Sequence, residues 1–70
     1  MSYETLKELL ERRPFESFEI HLAGGEQHEV RHPELALLLK SRIVIGDPEN
    51  DRMTICALIH INSIETLQST

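Results

Sequence analysis

The chain has 70 residues, with 12 Asp and Glu against 7 Lys and Arg, a net charge of −5 and one cysteine, Cys56. An internal disulfide is therefore excluded, no Cys-x-x-Cys pair exists for zinc, and the longest apolar run, residues 35–39, is far short of the ~20 residues of a membrane span. The acidic balance argues against tight binding to nucleic acid or an anionic membrane.

A chain this short buries only about 60% of the surface its unfolded form exposes, so such scaffolds need an extra source of stability. With disulfides excluded and the four histidines scattered, self-association is the expected source. The lone cysteine and the absence of a basic, apolar leader predict a cytoplasmic protein.

Residues 3–12 read as a helix. Ser2 is placed to cap it, Tyr3, Leu6 and Leu10 recur at helical spacing, and Pro14 stops it by disfavouring the α conformation at Arg13. Residues 15–22 read as a strand that turns Phe18, Ile20 and Leu22 one way and Glu19 and His21 the other.

Gly24-Gly25 marks a hairpin into a second strand, residues 26–31. A three-residue loop with Gly25 in the left-handed region puts Val30 opposite Phe18 and His28 opposite Ile20, which keeps the apolar face continuous. That register sets Glu19 against Glu29, a like-charge pair.

His32-Pro33-Glu34 breaks the second strand. Residues 35–39 fit either a short helix or a half-turn followed by a strand. The second is favoured, because Lys40-Ser41 then turns the chain straight into the β-branched segment from Arg42 to Gly46. Residues 46–52 read as a polar loop. Residues 53–59 read as a strand buried on both sides, with Ile55, Ala57 and Ile59 on the interior face and Cys56 and Leu58 on the other. A tight turn at residues 60–62 leads to a last strand, residues 63–67, and residues 68–70 are expected to fray.

The elements define one domain, residues 1–70, of the mainly β (α+β) class. An N-terminal helix is expected to precede a small, strongly bent antiparallel barrel over residues 15–67. Closure would remove exposed strand edges.

The segments RPFESFEIHL (13–22), EVRHPE (29–34) and LIHI-x-x-IE (58–65) together resemble a family of short bacterial proteins, to which no activity attaches. The helix-then-strands order and Leu22-x-x-Gly25 also resemble the SH3-like and Sm-like barrels. The latter likeness implies an RNA-binding barrel as the alternative function. The second Sm glycine and the polar set of the RNA pocket are missing.

No nucleophile is recognisably paired with a histidine, no glycine-rich phosphate cradle precedes a helix, and residues 47–51 lack calcium-loop spacing. The expectation is a non-enzymatic module without cofactor or metal. It would form a dimer or ring through an apolar strand face, with Tyr3, Val44, Cys56 and Leu58 as interface residues. A protein partner is the other expected ligand. Arg31, His32, Glu34 and His60 are the weaker candidates for a ligand contact. His32 is otherwise read as the cap of the turn that Pro33 opens, and His60 as a polar partner for nearby backbone. Arg12 and Arg13 are read as partners of the helix C-terminus.

Overall fold

A computed structural model describes residues 1–67; the expected fraying of residues 68–70 lies outside the described residues. The helix α1 spans Tyr3–Glu11. Ser2 caps it as its sequence position demands, the hydroxyl accepting from the Thr5 amide at 3.2 Å. Its apolar stripe drives Leu6 fully into the core, with Tyr3, Leu9 and Leu10 packed at the margin.

Six strands follow: β1 (Phe18–Leu22), β2 (Gln27–Val30), β3 (Ala36–Leu38), β4 (Arg42–Asp47), β5 (Arg52–Ala57) and β6 (Ile61–Thr66). They form two three-stranded antiparallel sheets, in the orders β2-β1-β6 and β3-β4-β5. The chain passes from the first sheet to the second through a 3-10 turn, Pro33–Leu35, and returns through another, Leu58–His60. The chain is mainly β with one helix, as expected; among the described residues no ladder joins the two sheets, and no closed barrel is found.

The first hairpin has the expected register: Phe18 faces Val30, Ile20 faces His28 and Glu19 faces Glu29. The turn explains why. The Gly25 amide donates to the Leu22 carbonyl at 2.9 Å, the Leu22 amide donates to the Glu26 carbonyl at 2.8 Å, and Gly25 sits at φ 93°. An L side chain is strained there, so glycine fixes the three-residue loop and the loop fixes the register.

Residues 33–38 form a half-turn and then a strand, as favoured above. The next hairpin is longer-stranded than expected. β4 and β5 stay paired out to Asp47 and Arg52, so only four residues, 48–51, form the loop. Asn50 Nδ2 donates to Asp47 Oδ2 at 2.8 Å across it.

That loop length decides which face of β5 is buried. With Asp47 opposite Arg52, Ile43 must face Cys56 and Ile45 must face Thr54. Ile43 and Ile45 point inward, so Cys56 does too. The expected assignment of this strand's faces is thereby reversed: Cys56 and Leu58 are buried, whereas Ile55 and Ile59 are 58% and 87% exposed. Nor does the strand reach Ile59, because residues 58–60 are helical.

The core lies between the sheets and is closed at one end by α1, which lies against β3. It comprises Leu6, Phe18, Ile20, Val30, Ile43, Ile45, Cys56, Leu58 and Ile61. Alternation along the strands puts Phe18, Ile20, Val30, Ile43, Ile45, Ile55 and Ile59 in one shared interior; the first five are in the core, and Ile55 and Ile59 are exposed.

Candidate functional site

The outer faces of the two sheets differ in chemistry, and strand registers show why. On the first sheet Glu19 sits between Glu29 on β2 and Glu65 on β6, a row of three carboxylates. Cation and imidazole neighbours relieve it. Arg31 Nε lies 3.3 Å from Glu29, and His21 Nε2 lies 3.0 Å from Glu19, off the line of a hydrogen bond. This face is wetted by its charges.

On the second sheet the corresponding row is apolar. Leu37 lies opposite Val44, and Val44 lies opposite Ile55. Directly opposed residues share a face, so the three side chains form a stripe across β3, β4 and β5. Met53, two residues before Ile55, extends the stripe beside Gly46, which has no side chain to fill the space. Leu37, Ile55 and Met53 are 60%, 58% and 67% exposed. By alternation Arg42, Val44, Gly46, Met53, Ile55 and Ala57 carry this face of the hairpin, with no carboxylate among them. In a chain of net charge −5, that is an unusual distribution.

The free edges differ as well. β3 is only three residues long and is flanked by α1, and β2 is four residues long with Gln27 and Glu29 exposed along it. β6 turns Asn62, Ser63 and Glu65 to water. β5 is six residues long, has among the described residues a partner on one side only, and contains no proline or lysine. Natural sheets blunt such edges with charge, proline or shortening; β5 has only Arg52, at its start.

Of the expected interface residues, Val44 lies in this stripe and Tyr3 lies on α1, packed against the core margin. Cys56 and Leu58 are core residues, and the exposed apolar residues of β5 are Met53 and Ile55. Burial, together with the nearby Glu26 carboxylate, pushes the Cys56 thiol above its ordinary range and keeps it protonated and unreactive. The signal that finds the right face is the length of the β4–β5 loop, since one residue more or fewer would turn the other face outward.

The four expected ligand contacts do not form one site. Arg31 and His32 line a cleft of about 520 Å³ between β2 and the β4–β5 hairpin, with His28, Asp47, Glu49 and Arg52. Neither Glu34 nor His60 lines it. Arg31 is held by Glu29 at 3.3 Å and by Glu49 at 3.5 Å. His32 occupies the cap position of the Pro33 turn, but its side chain makes no capping bond. At His60 the carbonyl, not the ring, meets the backbone, accepting from the Ala23 amide at 2.9 Å.

Arg12 lies 3.9 Å from Glu8 and 3.8 Å from Glu16, and Arg13 donates to the Leu10 and Arg12 carbonyls at the end of α1. Among the described residues, no three His, Cys, Asp or Glu side chains gather as a metal site, and no helix is long and apolar enough to cross a membrane. No family model, curated protein or solved structure matches the chain.

Proposed function

We propose that the protein is a non-catalytic interaction module that self-associates through the second sheet, using the Leu37–Val44–Ile55 stripe with Met53 and the free edge of β5. The observation that carries this reading is the cross-strand row of exposed apolar residues on one sheet, set against a carboxylate row on the other. Contiguous apolar surface rimmed by polar residues marks an interaction site. A 70-residue chain gains stability from covering it, because its own core is small. The order of strand pairings, with one 3-10 turn between β2 and β3 and another before β6, also supports an SH3-like arrangement in which β2 and β3 act as two halves of one bent strand.

Sedimentation velocity over a range from about 1 µM to 1 mM, a span of Kd values worth roughly 4 kcal/mol, tests the reading. The expected result is a concentration-dependent oligomer that Ile55→Lys converts to monomer without altering the circular dichroism spectrum. A wild-type chain that is monomeric throughout that range contradicts it.

A further inference from the structure

Resting on that reading, the geometry points to a specific partner and register: a second copy of the chain, paired antiparallel through β5 about a two-fold axis at Thr54, with Asp51 of each copy meeting Arg42 of the other. β5 is the long edge left unblunted, and an isologous pairing of one edge with itself closes as a dimer. Joined sheets must keep outer residues opposite outer residues, because a one-residue slip would set outer Met53 against buried Cys56 and outer Ile55 against Thr54 of the inner face. Two registers near the middle of the strand satisfy this. One places Thr54 opposite itself and Met53 opposite Ile55; the other places Ile55 opposite itself.

Charge selects between them. In the first register Asp51 lies opposite Ala57 of the partner copy, and Ala57 is itself paired with Arg42 on β4. Asp51, the loop residue immediately before β5, is then brought beside the partner's Ala57–Arg42 pair at the end of its ladder. Two strand spacings make about 10 Å, which an extended arginine spans over a small alanine. The pairing occurs twice by symmetry. It brings the acidic hairpin tip of each copy, Asp47, Glu49 and Asp51, toward the basic open end of the other, where Lys40 and Arg42 stand. In the second register Asp51 falls past the end of the partner's β5, beside Ile59 in the 3-10 turn, and loses the place next to the Ala57–Arg42 pair. The first register also joins the two apolar stripes into one, running Leu37–Val44–Ile55–Met53 in one copy and back through the other.

Arg42 and Asp51 are both exposed, so the charges can be reversed without touching the core. The experiment measures the dimer dissociation constant at low salt for wild type, Arg42→Glu, Asp51→Lys and the double variant, with circular dichroism as a check on folding. Asp51→Asn is added because Asp51 sits at φ 53°, a conformation that asparagine tolerates. The expected result is roughly tenfold or greater weakening by each reversal, a smaller loss with Asp51→Asn, and recovery in the double variant. A dimer that Ile55→Lys breaks but that neither reversal weakens, or that the double variant does not restore, overturns this register and leaves self-association standing. A monomeric wild type overturns both.

Discussion

Val44 lies directly opposite Ile55 across the β4–β5 ladder, and both stand on the outer side of their sheet. Their neighbours on the strands, Ile43 and Cys56, are also directly opposed and are buried. One ladder thus separates two apolar rows, one packed in the core and one that, among the described residues, is left facing outward.

The two rows respond differently to truncation. Phe18→Ala, in the fully buried set, is expected to cost about 3–5 kcal/mol. A chain of this size has a total stability of only about 4–10 kcal/mol, so the substitution removes a large part of it. Ile55→Thr, on the exposed row, is expected to change monomer stability by no more than about 0.5 kcal/mol. Urea titrations at low protein concentration, followed by far-UV circular dichroism, check both.

The two glycines of the first turn are also separable. Gly25→Ala places a side chain at φ 93° and is expected to destabilise by about 1–2 kcal/mol. Gly24→Ala meets no atom within 4 Å and has no such backbone requirement, so it is expected to be neutral or slightly stabilising. Thermal melts of the two variants side by side test the assignment of Gly25 as the register-fixing residue.

Glu19 stands between two like charges, Glu29 and Glu65. Opposed like charges on a sheet cost a few tenths to about 1 kcal/mol. Glu19→Gln is expected to raise stability by that amount at neutral pH and low salt, with the gain shrinking as salt screens the row. Denaturation midpoints at two ionic strengths provide the measurement.

Cys56 yields a prediction in pH. Its thiol is raised in the folded state, first by burial and then by Glu26, so the native protein holds the proton more tightly than the unfolded chain. The associated stability is fully present below the ordinary thiol range and is lost as pH rises through the folded-state value. Wild type is therefore expected to lose stability at alkaline pH more steeply than Cys56→Ala. A thiol reagent at neutral pH is expected to modify Cys56 only as fast as the protein opens.

Several of these features were legible in the sequence because local chemistry and burial agreed. The Phe18–Val30 register followed from Gly25 together with the alternation of β1, and the turn-then-strand at residues 33–38 followed from Pro33 and the Lys40-Ser41 turn. The buried face of β5 was not legible by alternation, since Met53, Ile55 and Ile59 are as apolar as Cys56 and Leu58. Hydropathy cannot rank two apolar faces, and only the four-residue loop between Asp47 and Arg52 does so. The candidate surface was misplaced for the same reason. Val44 was found because it alternates against Ile43 and Ile45, Met53 and Ile55 were missed because their exposure depends on that loop, and Leu37 because its face depends on the β3–β4 register. That no ladder joins the two sheets among the described residues is a property of pairings distant in sequence, which no local pattern encodes.

Amide hydrogen exchange measured at low and high protein concentration tests the central claim most directly, since it reports where copies meet as well as whether they do. The account predicts that added protection at high concentration is concentrated in residues 52–57, with residues 27–30 on the edge of the first sheet unchanged. Protection that is independent of concentration at β5, or that appears instead on β2 or β6, contradicts it.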